Sequence, residues 1–327
     1  MNNPQVRAET INPTKANAPE PKDEMLAYTD KQGQIPFWDH PALKGYKVLP
    51  DKYFPSITIE NIISLHRRGR FDDTDILLLK VLGDSICSHE DQLRRYMSKI
   101  MSRSDVSKRL NKFREIGLAD RWKVRIRGNE ETMKPPAPFT LGIAGFKFLK
   151  HYYSDQYFLN PNRWDDLGIK AIQRYVSINE LRCQLVEKKV IKAWKWNAVL
   201  KNNRKIKFPL AVAEIKTPKG HLNLLIDRAQ MTQDFIGYFR TKLEQWKSVY
   251  EEHNTFPVTE FANNTPVVVV YASALTVAKE IHQQLLLDTY PFQIWVCCEE
   301  DLLTDGLAHS FYIPIQSELK KVTMNFL

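Results

Sequence analysis

Residues Ser104–Arg127 are SDVSKRLNKFREIGLADRWKVRIR, and the hydrophobic period changes halfway along them. In the first part Val106, Leu110 and Phe113 recur at i, i+4 and i+7, the spacing that stacks side chains on one face of an α-helix. Ser104 is placed to cap this helix and Gly117 to close it, because helices commonly end on a residue in the left-handed region that glycine adopts without strain. From Arg121 the period becomes two. Trp122, Val124 and Ile126 alternate with Arg121, Lys123, Arg125 and Arg127, so one face of a strand is apolar and the other cationic. Downstream, Gly128–Asn129 makes a turn, the proline-rich Lys134–Leu141 returns as the partner strand, and Ile143–Tyr152 closes with a helix. Upstream, Asp73 or Thr74 caps a helix carrying Ile76, Leu79 and Leu82 and stopping at Gly83. Ser88 caps a second, with Leu93, Met97 and Ile100 inward. Helix–helix–helix–hairpin–helix over 70–152 is the plan of a winged helix–turn–helix.

In such a unit the third helix enters the major groove and the wing lies along the backbone or minor groove. Between Arg94 and Arg127 twelve Lys and Arg stand against Asp105, Glu115 and Asp120, a surplus of nine that equals the net charge of the whole chain. A merely solvated face would interleave both signs. Ser107, Lys108, Asn111 and Lys112 point away from the apolar stripe. With Arg103 and the wing residues Arg121, Lys123, Arg125 and Arg127 they form the expected DNA-contacting set. Asparagine suits bidentate base contacts, while lysine and serine mostly hold the backbone. The competing expectation is a winged helix used for protein contact.

The chain has 327 residues, more than the roughly 100–200 of one domain, and its 43% hydrophobic content supports sizeable cores. Residues 1–35, rich in Asn, Pro, Glu and Lys, are expected to be a disordered arm. Residues 36–69 form a lead-in with Phe37, Trp38, Tyr46, Tyr53 and Phe54 and a short helical pattern at Ile59–Leu65. Cys87, Cys183, Cys297 and Cys298 show no metal-binding spacing and are expected to be free thiols in a reducing compartment. Apolar runs such as Val267–Ala274 fall far short of the ~20 residues a membrane span needs. A cytoplasmic protein without membrane insertion is therefore expected.

Residues 153–170 are expected to be a linker, 171–315 a second domain and 316–327 a C-terminal tail. In the second domain Ile172–Glu187 is an amphipathic helix, followed by strands at Ile191–Leu200, Phe208–Ile215 and His221–Asp227. Thr232–Glu252 keeps Phe235, Phe239, Leu243, Trp246 and Tyr250 on one face of a long helix. Pro266–Ala272 is a continuous apolar strand, hence central in a sheet, Leu275–Leu287 a helix and Phe292–Cys298 another buried strand. The order αβββαβαβ is a mixed α/β sandwich, the plan of the restriction-endonuclease-like fold among others. Glu214-Ile215-Lys216 has the Glu-x-Lys form with which such nucleases hold a divalent cation and activate water. No aspartate lies between Leu167 and Ile226 to complete that set, and Glu-x-Lys is common at solvated strand ends.

Phe139-Thr140-Leu141 followed by Gly145, then Pro209-Leu210-Ala211, Leu225-Ile226-Asp227-Arg228, Met231-Thr232, Lys242, Trp246 and Tyr250, make the chain resemble the replication-relaxation proteins of plasmids and conjugative elements. The resemblance spans roughly 70–290 and implies a winged helix joined to a restriction-endonuclease-like domain of PD-(D/E)xK type. The family has Asp where this chain has Leu210 and Glu where it has Leu225; Asp227 and Arg228 remain. Leucine cannot ligate a metal, so the implied nuclease site is degenerate.

The expectation is an α+β protein that binds double-stranded DNA without catalysis, acting in plasmid or mobile-element replication, conjugative transfer or their transcriptional control. The second domain would serve as a homodimerisation platform or auxiliary clamp, its basic run including Lys188, Lys189, Lys192, Lys195, Lys201, Arg204, Lys205 and Lys207. Replication or transfer proteins are further expected partners. The alternatives are a metal-dependent endonuclease or relaxase drawing on Glu214, Lys216 and Asp227 with Mg²⁺ or Mn²⁺, the only case implying a cofactor, and a protein–protein adaptor docking through its N-terminal arm and the Phe37–Trp38 region.

Overall fold

Asp72 opens the first long helix: its carboxylate accepts the Asp75 amide at 2.8 Å while the Asp75 carboxylate reaches back to the Asp72 amide at 3.0 Å. This reciprocal cap satisfies two otherwise orphaned amides. The computed structural model describes residues 28–55, 58–126, 136–231 and 234–327. Its helices are α1 (Ile59–Arg67), α2 (Asp73–Ser85), α3 (Glu90–Tyr96), α4 (Arg103–Glu115), α5 (Ile143–Tyr152), α6 (Trp164–Glu187), α7 (Phe235–His253), α8 (Leu275–Leu285) and α9 (Glu299–Thr304). In the first half the strands are β1 (Leu43–Val48), β2 (Cys87–His89), β3 (Ala119–Ile126) and β4 (Pro138–Leu141). The second half contains β5 (Ile191–Trp196), β6 (Ala211–Thr217), β7 (Gly220–Arg228), β8 (Thr265–Ala272), β9 (Gln293–Cys298), β10 (Phe311–Ile315) and β11 (Glu318–Val322). The fold is mixed α+β.

In the first half α2–α5 surround a core of Leu79, Leu82, Leu93, Met97, Val106, Leu110 and Phe113, the stripes expected from spacing. The helix limits differ from expectation for local reasons. Asp72, not Asp73 or Thr74, caps α2, and the helix passes Gly83, where a Cβ would come within 2.7 Å of Leu149 and 2.8 Å of Phe158. That glycine admits a neighbouring helix and does not stop its own. Ser88 belongs to β2, and His89 caps α3 by accepting the Gln92 amide at 3.2 Å. Because α3 ends at Tyr96, Ile100 falls in the following turn and is 55% exposed. Ser102, not Ser104, caps α4 by accepting the Asp105 amide at 3.2 Å. Gly117 ends that segment at φ +75°, as expected.

These helices carry an antiparallel sheet in the order β1-β3-β4-β2. Strand β3 alternates as its sequence dictates, with Trp122, Val124 and Ile126 buried and Arg121, Lys123 and Arg125 exposed. Strand β1 was not anticipated; it comes from the lead-in and pairs with β3 from Leu43↔Ile126 to Val48↔Arg121. The Gly128–Asn129 turn, Lys134 and most of the expected arm lie outside the described residues.

The second half is built on a seven-stranded sheet in sequential order from β11 to β5. Strands β7, β8 and β9 are parallel, and the remaining pairings are antiparallel. Val267, Val269 and Tyr271 of β8 face the α6 layer, whereas Val268, Val270 and Ala272 face α7 and α8. A strand covered on both faces has no solvated side, which explains its unbroken apolar run. Residues 318–322, expected in the tail, form edge strand β11, and α6 extends back to Trp164 across a break at Gly168 (φ +61°), into the expected linker.

Helix α6 also meets the first half. The Asn179 carboxamide donates to the carbonyls of Ser85 and Cys87, both at 2.8 Å, and Gln92 Nε2 donates to the Val176 carbonyl at 3.0 Å. Ile86, Cys87 and Trp122 join the α6 core. The chain before β1 is tied to the second sheet as well: Tyr28 packs edge-on against Phe235, and the Lys31 amide donates to Glu300 at 3.0 Å. Residues 28–35, expected in the arm, are therefore anchored.

Replacing Asn179 by Ala removes the donor serving two buried carbonyls, each unmet group being worth about 1–3 kcal/mol. Urea unfolding of Asn179→Ala is expected to show a lower midpoint and a loss of that order; an unchanged midpoint would mean that these bonds do not hold the two halves.

Candidate nucleic-acid interface

Helix α4 presents Lys108 and Asn111 to solvent. The Lys108 side chain is 78% exposed, with Asp105 as its nearest acid at 3.8 Å. Asn111 is exposed and accepts a long 3.5 Å bond from Arg114. The other expected contact residues of this helix are engaged within the protein. The Ser107 hydroxyl donates to Glu90 at 2.6 Å and accepts from Arg94 at 2.7 Å. Arg103 pairs with Asp91. Lys112 reaches Asp75 at 2.5 Å, and Arg109 bridges Asp72 at 2.8 Å and Asp75 at 2.6 Å. Asp75 is fully buried, so its charge depends on these two cations. Arg109 is also the main reason the Asp72 carboxyl is held below the ordinary carboxylate range.

The surplus counted along 94–127 therefore overstates the charge offered to a partner. Acids from outside that window, Asp72 and Asp75 of α2, Glu90 and Asp91 of α3, and Glu180 and Glu187 of α6, neutralise much of it. Sequence counting misses them because, apart from Arg94–Glu90 within α3, these ion pairs are made between elements.

What remains exposed is a face of the β1–β3 ladder. Lys44 lies opposite Arg125, Tyr46 opposite Lys123 and Val48 opposite Arg121. Arg121, Lys123 and Lys44 have no acidic partner among the described residues, and the Arg125 guanidinium sits 5.9 Å from the centre of the Tyr46 ring. Tyr46 is 44% exposed. The sheet face continues to the end of α4, where Arg114 donates to the Val48 carbonyl at 3.2 Å. Burial lowers the Arg114 pKa and nearby Arg121 adds to the effect. Lys44 and Tyr46 were missed by sequence reasoning, because L-K-G-Y-K-V over residues 43–48 places a lysine on each face. Arg127 lies outside the described residues.

The acids of the second sheet do not converge. Glu214 is opposite Asn223 on β7, whereas Asp227 lies four residues further along that strand, roughly 13 Å away at about 3.3 Å per residue. Val212 and Leu225 are buried between them on the same face. Glu214 accepts from Lys192 at 2.9 Å and Asn264 at 3.1 Å, and Lys192 is the first cause of its lowered pKa. Asp227 pairs with buried Lys242. Lys216 is exposed at the strand end. Among the described residues no cluster of His, Cys, Asp and Glu could hold a metal ion. Part of the downstream basic run is also internally neutralised, Lys195 by Glu260 and Lys201 by Glu252.

At the ends of the parallel strands is a buried charge group. Arg228 pairs with Asp39 at 2.9 Å, and Glu299 is 3.9 Å away. Burial pushes the Glu299 carboxyl up from 4.5 to about 7. The four cysteines are free and buried; burial raises the Cys297 thiol to about 12. Among the described residues no helix is long and apolar enough to cross a membrane.

No family model and no curated protein matches the chain. One solved structure, the restriction endonuclease FokI bound to DNA, aligns with 81% of this chain and 55% of its own at 10% identity and a TM-score of 0.29. The chain thus spans about half the length of that protein, and a likeness this low carries no argument.

A carboxyl whose folded pKa lies above its unfolded one stabilises the protein below about pH 4.5, and that contribution is lost as pH rises through about 7. The rise from 4.5 to about 7, at about 1.4 kcal/mol per pH unit, is on the order of 3 kcal/mol. Denaturant titrations from pH 4.5 to 7.5 are expected to show the native protein losing stability relative to Glu299→Gln by that order; parallel curves would refute the assignment.

Proposed function

We propose that the protein binds double-stranded DNA, without catalysis, through a winged helix–turn–helix formed by α2–α5 with β2, β3 and β4. The observation that carries this is the exposure of Lys108 and Asn111 on α4 together with the exposed ladder Lys44, Tyr46, Arg121, Lys123 and Arg125 on β1 and β3. Its two parts suit two tasks. A helix offering an asparagine and a lysine has the means to address base edges, and a row of cations on a sheet follows a phosphate backbone. The pairs Arg109–Asp72 and Lys112–Asp75 fix how α4 crosses α2, which sets the angle at which α4 would meet the groove.

A metal-dependent nuclease drawing on both Glu214 and Asp227 is not favoured, since one ion binds ligands at roughly 2.0–2.6 Å and Glu214 of β6 faces Asn223, four residues along β7 from Asp227. A role in plasmid replication, transfer or their control rests on the sequence resemblance and belongs to this proposal as its biological setting.

Fluorescence anisotropy on labelled duplex, with salt varied, tests the reading. Affinity is expected to fall linearly on a logarithmic salt scale, and Lys123→Ala with Arg125→Ala to weaken binding across all sequences and flatten the salt slope by about 2. Lys108→Ala with Asn111→Ala is expected to erode discrimination between sites by about 1–3 kcal/mol. Unaltered binding in both double variants would overturn the proposal.

A further inference from the structure

Where β7 ends, a cleft of about 240 Å³ opens between α6 and α7, walled by Arg174, Phe208, Asp227, Arg228, Tyr238 and Lys242. Two of its three cations are already compensated. Lys242 pairs with Asp227, and Arg228 with Asp39 at 2.9 Å. Among the described residues Arg174 has only a neutral partner: its Nε and Nη2 donate to Gln230 Oε1 at 3.2 and 3.0 Å. At the rim the Lys207 ammonium stands 4.5 Å from the centre of the Tyr238 ring and has no acidic partner among the described residues. A concave, partly apolar wall with surplus positive charge concentrates anions.

The same rim carries exposed aromatic surface. Phe208 is 43% and Tyr238 49% exposed, and Phe208 has no ring partner among the described residues. Phe208 is held in place by its neighbour: the Lys207 amide donates to Gln245 Oε1 at 2.8 Å, and the Lys207 carbonyl accepts from the Trp246 indole at 2.7 Å. The volume is below the roughly 300–1,000 Å³ of pockets that engulf a whole drug-sized ligand. The cleft is suited to taking one charged end of a ligand and leaving the other against the rim.

From these features we infer that the cleft is a nucleotide site, with a phosphate group held by Arg174 and the rim ammonium of Lys207 and a base stacked on Phe208. A plain anion would use only the cations and an apolar ligand only the rings; a nucleotide uses both. The ligand is either a free nucleotide or the phosphorylated end of a DNA strand, and the chemistry is shared. The site does not rest on the duplex-binding surface, which lies on the other half of the chain.

Calorimetric titration of the full chain with deoxyadenosine 5′-monophosphate, deoxyadenosine and inorganic phosphate provides the test. The monophosphate is expected to bind at least about tenfold tighter than either fragment, and Arg174→Gln and Phe208→Ala each to weaken it about tenfold or more. Lys242 is left intact because its loss would strand buried Asp227. Should Arg174→Gln fail to fold by circular dichroism, exposed Phe208→Ala decides. Lys123→Ala with Arg125→Ala is expected to leave nucleotide binding unchanged, so failure here and failure of the duplex proposal are separable. Competition by a single-stranded oligonucleotide that requires its 5′-phosphate assigns the strand end, and its absence assigns the free nucleotide; both uphold the site. No heat of binding at millimolar monophosphate, or equal affinity in Phe208→Ala, would overturn it.

Discussion

Asn179 sits at the middle of α6, fully buried, and its amide hydrogens go to backbone carbonyls at the end of α2 and in β2. A buried carboxamide left unpaired is costly, so these bonds allow α6 one position against the first half. The same helix supplies Ile172, Val176 and Leu185 to the core beneath the seven-stranded sheet, which Ile86, Cys87 and Trp122 of the first half also enter. One core is thus shared by the two halves through this helix. Where the sheet stands relative to α4 follows from that sharing, with the Arg95 guanidinium joining Glu180 at 2.7 Å and Glu187 at 2.5 Å across the same seam.

Charge in the first half serves two purposes that a linear count cannot separate. Cations facing buried or half-buried acids are structural. Asp75 has no access to water, and its interaction with Arg109 and Lys112 is strengthened by the low local dielectric. Cations without such partners are surface groups in high dielectric, where a single pair is worth roughly 0–1 kcal/mol and several in a row can act together on a polyanion. Strand β1 matters here because it widens the exposed row of β3 with Lys44 and Tyr46 while covering the apolar edge of that strand.

In the second half, strand geometry keeps the acidic groups apart. Side chains two residues apart share a face, so Glu214, Val212, Leu225 and Asp227 all lie toward α7 and α8, yet the first and last are at opposite ends. Each acid already has a cation: Lys192 for Glu214, Lys242 for Asp227. The charged residues at the strand ends also anchor the chain before β1, since Asp39 reaches Arg228 from a segment nearly two hundred residues earlier.

The sequence by itself determined the elements whose signal is local. The stripe Val106, Leu110, Phe113 and the alternation Trp122, Val124, Ile126 are buried as their periods require, and the apolar run at β8 is central. The starts of α2 and α4 were missed by a residue or two because Asp, Ser and Thr neighbours compete for one cap, and a histidine did the same work at α3. Strand β1 was illegible: six residues with a lysine on each face and a glycine carry too weak a period, and their partner β3 is over seventy residues away. The same reason covers the site. Which cations remain exposed, and that Glu214 and Asp227 stand apart, depend on residues distant in sequence, so only the tertiary structure could decide them.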